Sequence, residues 1–195
     1  MSVYVSEIQS HSIAVVAIDE SGEISDFSNR CGIAADFCIA APGGSINVAY
    51  PVTEADQGIY EDDDYDCETT NNCFAVANGT SFASPFVAGG LAVIADFFSG
   101  QLGATEIVQR MLSTANKTGV YADAEIYGQG LLDLDAATSP VGQLSATLSG
   151  TLDSVRIPWL DNSLNISNIA IGDALTSNSQ NVSLILFDEL DAPFR

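Results

Sequence analysis

The chain is 195 residues long and 47% apolar, enough for one domain with a sizeable core. Twenty-six acidic residues against five basic ones leave a formal charge of −21, which disfavours binding to nucleic acid or to an anionic membrane surface. With Lys117 as the only lysine, this acidity points to a salty or extracellular setting. No apolar run approaches the roughly 20 residues of a membrane helix; the best, Pro85 to Phe98, is broken by Asp96. Met1 to Ser10 carries neither a basic nor an apolar stretch, so no export signal is expected there. The four cysteines nevertheless form two local pairs, Cys31/Cys38 and Cys67/Cys73, which suit disulfides in an oxidising compartment. Zinc spacing is absent and the only histidine, His11, is distant in sequence, so neither a metal nor a cofactor is expected. Cysteines of this kind without an export signal imply that the beginning of the protein lies upstream of Met1.

In chain order, Ile13 to Asp19 is a β-branched, almost continuously apolar run that stops at Glu20-Ser21-Gly22, the pattern of a strand covered on both faces. Phe37 to Ala41 repeats it and ends at Pro42-Gly43-Gly44. From Glu54 to Glu68 eight of fifteen residues are acidic, which reads as a solvated loop. Ser81 to Phe98 is apolar on every face, predicting a buried helix in which Gly89-Gly90 permits close packing. A second helix is expected after Thr105 as N-cap, with Glu106 in its first turn and an apolar face of Ile107, Val108, Met111, Leu112 and Ala115. Tyr127 to Ala137 opens on a glycine turn. Beyond Pro140 the texture becomes rich in Ser, Thr, Asn and Leu, and Val182 to Phe187 is the one convincing strand there; a boundary falls near residue 142.

The residues that carry chemistry are Asn78-Gly79-Thr80-Ser81-Phe82-Ala83-Ser84-Pro85, at the head of the predicted buried helix. A serine placed there sets its hydroxyl, its own N–H and the positive end of the helix dipole toward one point. Nucleophile and oxyanion donor can then share one residue, as acyl transfer requires. The plain alternative is an N-cap serine. Other readings are weaker. No histidine follows Ser81, which excludes an α/β-hydrolase order. A calcium loop at Asp62, Asp64 and Asp66 has Cys67 at its glycine position and Cys73 at its final carboxylate. The triplets at Asn116, Asn165 and Asn181 match the glycosylation pattern, which is common by chance, and Trp159 and Phe97-Phe98 read as packing.

The run from Gly79 to Gly89 resembles the serine motif of the subtilisin-like serine peptidases, through Gly79, Thr80, Ser81, Ala83, Pro85, Val87, Ala88 and Gly89, with one residue of slack after the proline. Ile13 to Asp19, Asp26-Phe27-Ser28-Asn29, Ala41-Pro42-Gly43 and Tyr127-Gly128-Gln129-Gly130-Leu131 resemble further segments of that family in the same order. The run Asp133 to Gly142, with Gly172-Asp173-Ala174-Leu175, Leu186-Phe187-Asp188 and Ala192-Pro193-Phe194, resembles its autotransporter branch, in which a linker and an outer-membrane barrel follow the peptidase.

The resemblance implies an α/β fold: part of a three-layer domain with a mostly parallel sheet over residues 1–142, then an irregular, β-rich linker over 143–195. It implies a secreted endopeptidase, extracellular or on a bacterial surface, acting on peptide or protein substrates through an acyl-enzyme on Ser81, with Gly79 and Thr80 shaping the loop. The family's aspartate, its His-Gly-Thr histidine and its oxyanion-hole asparagine have no counterpart here; His11 enters a strand, and Asn29, Asn47 and Asn78 fall in the wrong segments. The chain alone is therefore expected to be inactive. The alternative is a catalytically silent, adhesin-like surface protein that keeps only the fold.

Overall fold

The computed structural model describes residues 12–50, 66–69, 72–147, 156–158 and 186–194. His11, Asp62 and Asp64 lie outside them. The centre is a parallel pair, β1 (Ala14–Ile18) and β2 (Cys38–Pro42), in register from Ala14 opposite Cys38 to Ile18 opposite Pro42. Both faces are covered, as the continuous apolar runs require. On one face Ala17, Ile39 and Ala41 pack against Ala83, Val87 and Ile94 of α1 (Thr80–Phe97) and Met111 of α2 (Ala104–Thr114). On the other, Val16, Ile18, Cys38 and Ala40 meet Cys31, Ala34 and Tyr127, from the 3₁₀ segment Gly32–Phe37 and the short helix α3 (Ala124–Tyr127). Residues 129–132 flank the free side of β2 through Gln129 N–H to Cys38 O (2.8 Å), Ala40 N–H to Gly130 O (2.8 Å) and Leu132 N–H to Ala40 O (2.9 Å).

The expected mostly parallel sheet is corrected here: among the strands of the described residues β1 and β2 pair in parallel, with one further parallel bridge from Ala40 to Leu131, and the other pairings are antiparallel. β3 (Ile46–Tyr50), β5 (Asn72–Ala77) and β4 (Asp66–Thr69) form an antiparallel sheet in that order. In the tail, β6 (Ser145–Thr147) pairs antiparallel with β7 (Arg156–Pro158) and β8 (Leu186–Phe187), and β8 pairs with β9 (Pro193–Phe194). The direction of β4 against β5 follows from their two-residue connection, since a parallel pair needs a crossover of a dozen or more.

Two local features depart from the sequence expectations. α1 is apolar all round but is covered on one side only: Ala83, Val87, Gly90 and Ile94 are buried, whereas Phe86, Val93 and Phe97 are exposed. Its 18 residues average a hydropathy of 1.3, sufficient by length and composition to cross a membrane. α2 starts after Gly103 rather than Thr105, because the Glu106 carboxylate reaches back to accept the Gly103 N–H. In the turn after β1, Asp19 Oδ1 accepts from Ser21 Oγ (2.6 Å), Ser21 N–H (2.9 Å) and Glu23 N–H (3.2 Å). The Ser21 hydroxyl above all, against opposing desolvation and with help from the backbone donors, holds this carboxyl below its ordinary value. The turn's contribution is accordingly present above that ordinary value and lost as pH falls through the lowered one.

Cys31 and Cys38 are joined by a disulfide that ties the 3₁₀ segment to the start of β2, seven residues apart. Cys73 is also disulfide-bonded, and Cys67 stands opposite it in the β4–β5 register. Replacing both Cys31 and Cys38 by serine should lower unfolding stability by about 2–3 kcal/mol, the loop-closure contribution of so short a ring. Urea unfolding of the two proteins side by side measures it.

Candidate active site

The site is assembled where the carboxyl ends of β1 and β2 meet the start of α1. Ile18 O accepts two N–H groups, from Gly43 and Gly44, both at 3.0 Å. Gly43 O in turn accepts the Gly79 N–H at 2.8 Å, and Asn78 Oδ1 accepts the Ser45 N–H at 2.7 Å. The Ala41-Pro42-Gly43 loop thus fixes the residues immediately before Ser81. Only glycine fits at 43, where a Cβ would stand 2.6 Å from Ala17 Cβ and 2.9 Å from Gly79 O. Gly43→Ala should cost about 1–3 kcal/mol, as overpacking of a close backbone contact does. A lowered urea midpoint with an unchanged m-value would report it.

Gly79 precedes the helix in extended backbone, so space rather than torsion selects the glycine: a Cβ would lie 3.0 Å from Ser81 Oγ and 3.5 Å from the Phe82 ring. Phe82 N–H returns to Gly79 O at 3.0 Å and closes the first turn. Ser81 sits in that turn, where the N–H groups have no intrahelical acceptor. The first turn holds no acidic residue to neutralise the positive end of the dipole. Ser81 is exposed, and its Oγ has no hydrogen-bond partner among the described residues. Ser84, by contrast, spends its hydroxyl on Thr80 O at 3.1 Å. Pro85 lies deeper in the helix than the first turn, and the N–H it lacks is the one that would have bonded Ser81 C=O.

Ser81, Thr80 and Gly79 are therefore together, with the Oγ and the helix N-terminus open to solvent. The bonded pair Cys31–Cys38 lies in the cluster on the opposite face of the sheet, away from this opening. The direct role of Gly43 and Asn78 in holding the loop was not foreseen, although the Ala-Pro-Gly run carried the signal. Beside the site, a cleft of about 410 Å³ opens between β1, α1 and α2, walled by Ile13, Val15, Ser84, Leu91 and Val108. No cluster of three or more metal-ligating side chains occurs among the described residues.

The α/β core thus presents an exposed serine at the head of the helix that packs on its parallel strands. Residues 2–130 match the subtilase family, peptidase S8, and the chain belongs to that family. It is 31% identical over 139 residues to serotype-specific antigen 1 of Mannheimia haemolytica, covering 70% of this chain and 13% of that protein. It is 33% identical over 125 residues to subtilisin DY of Bacillus licheniformis, covering 64% and 36%. Among solved structures, the patellamide maturation protease PatG aligns at a TM-score of 0.48 and 25% identity, over 64% of this chain and 35% of its own. The chain thus spans 13% and 36% of the length of the two curated relatives.

Proposed function

We propose that this chain is the serine-bearing portion of a secreted endopeptidase that cleaves peptide bonds through an acyl-enzyme on Ser81. The observation that carries the reading is the exposed Ser81 hydroxyl, without a hydrogen-bond partner among the described residues, at the open N-terminus of α1 in a chain of the subtilase family. Ser81 Oγ attacks the scissile carbonyl, and its own N–H supplies one donor to the oxyanion. Gly79 keeps the flank of the hydroxyl clear, and Thr80 begins the helix that aims it. On this reading the general base, its orienting aspartate and the second oxyanion donor come from sequence outside these 195 residues. The pairing of Cys67 with Cys73 and the absence of a resident cofactor belong to the same reading. So does a division near residue 142, with the remainder leading toward an outer-membrane barrel on a bacterial surface.

A second reading, a surface protein without catalysis, is favoured by one relative whose name is that of an antigen. An organophosphorus fluoridate separates the two. In the longer protein that contains the upstream sequence, a peptidase takes up one phosphoryl group on Ser81, located by peptide mass spectrometry. Residues 1–195 alone should take up none, for want of a base. No labelling of the longer protein, or labelling at another serine, would overturn the peptidase reading in favour of the surface protein.

A further inference from the structure

The end of the described chain returns to the domain through one buried ion pair. Arg110 of α2 and Asp188 are 78 positions apart, yet Nη1 and Oδ2 stand 2.8 Å from each other with both side chains sealed from solvent. Every polar atom of the pair is engaged. Arg110 Nε donates to Ala137 O and Nη2 to Ser139 O (2.7 Å). Asp188 Oδ2 also accepts the Val141 N–H (3.0 Å), and its Oδ1 accepts the N–H groups of Leu190 (3.0 Å) and Ala192 (2.9 Å). The guanidinium lies over the rings of Phe98 and Phe194, at 4.7 and 5.4 Å from their centroids. Phe98 and Phe194 meet edge to face at 5.5 Å. Glu189 N–H bonds to Val141 O (3.0 Å), and Ala192 is fully buried within the main core.

The ion pair, the two bonds to Val141 and the contacts of Phe194 with Arg110 and Phe98 join residues 186–194 to residues 98–141. A recess with a buried cation, two carbonyls that orient it and an aromatic wall has the chemistry of a receptor for an aspartate with Ala-Pro-Phe beginning four residues after it. Among the described residues no other carboxylate reaches Arg110. We propose that the Arg110 recess is a peptide-binding site whose ligand is residues 186–194, seated non-covalently. A cut anywhere between residues 148 and 185 then leaves this segment, and anything attached to it, bound to the domain.

The test inserts a recognition site for a sequence-specific protease between residues 165 and 175 of the full chain. After cleavage is complete on a denaturing gel, the protein is run on a native sizing column. The C-terminal fragment should co-elute with the domain. An excess of synthetic peptide of residues 186–194 should displace it, and the same peptide carrying Asp188→Asn should need at least about thirtyfold more, the lower end of what losing one partner of a buried charge pair removes. Because only the competing peptides differ, no folding defect enters the comparison. Separation of the fragment upon cleavage, or equal competition by the two peptides, would overturn the proposal.

Discussion

On the peptidase reading, Ser81→Ala in a longer protein that carries an aspartate and a histidine beside this chain should lower kcat about a millionfold, the scale of loss when subtilisin loses its serine. The fold should be indifferent to it. Ser81 is exposed and its hydroxyl bonds to nothing among the described residues, so removing one oxygen leaves no buried group unpaired and should change stability by no more than about 0.5 kcal/mol. Turnover of a peptide substrate, measured with thermal unfolding on the same samples, separates lost chemistry from lost structure. KM should move far less than kcat, since the bond made by Oγ forms on the way to the transition state and not in the bound complex. Equal activity of the two proteins would remove Ser81 from the reaction.

Asp188→Ala should have the largest effect on stability, about 3–5 kcal/mol, because it strands the Arg110 guanidinium in a site closed to water. That is a large share of the roughly 5–15 kcal/mol that holds a typical domain folded. Arg110→Met should cost a comparable amount for the mirror reason, leaving Asp188 charged and buried. Replacing both, with Asp188→Ala beside Arg110→Met, should recover only part of the loss. The apolar pair abolishes the stranded charge, yet the N–H groups of Val141, Leu190 and Ala192 lose their acceptor, and Ser139 O and Ala137 O lose their donor. Urea titrations of the three variants give the coupling directly as a double-mutant cycle. Additive single effects would mean that the pair is not the element joining tail to domain.

The parts of the molecule legible in the sequence are those specified locally. The runs at Ile13 to Asp19 and Phe37 to Ala41 are apolar without alternation because both faces of β1 and β2 are covered, and the two strands lie close to those limits. The placement of Ser81 at a helix start was legible too, from Gly79 before it and the change of period after it. Strand direction was not. Val15 fits a parallel or an antiparallel neighbour equally well, and β3 pairs with β5 past the intervening β4, a partnership that composition does not reveal. The tail was hardest. Nothing near Asp188 announces that its partner is 78 positions away. One signal was available: Arg110 is in phase with Ile107 and Met111, so a basic residue falls on the face of α2 that had to be buried. A cation in that position calls for an anion from elsewhere in the chain.

The half-covered helix has a consequence for how the isolated chain behaves as a solute. Phe86, Val93 and Phe97 keep 44%, 49% and 52% of their surface in water, on a molecule whose formal charge is −21. At low ionic strength, mutual repulsion keeps such molecules apart over distances of tens of ångströms. Added salt shortens that reach to a few ångströms and leaves the apolar stripe unopposed. Association through α1 should therefore grow with ionic strength, the reverse of what contacts between opposite charges would do. Light scattering across a salt series would show the aggregate mass rising, and substituting Phe86 and Val93 with polar residues would flatten the curve.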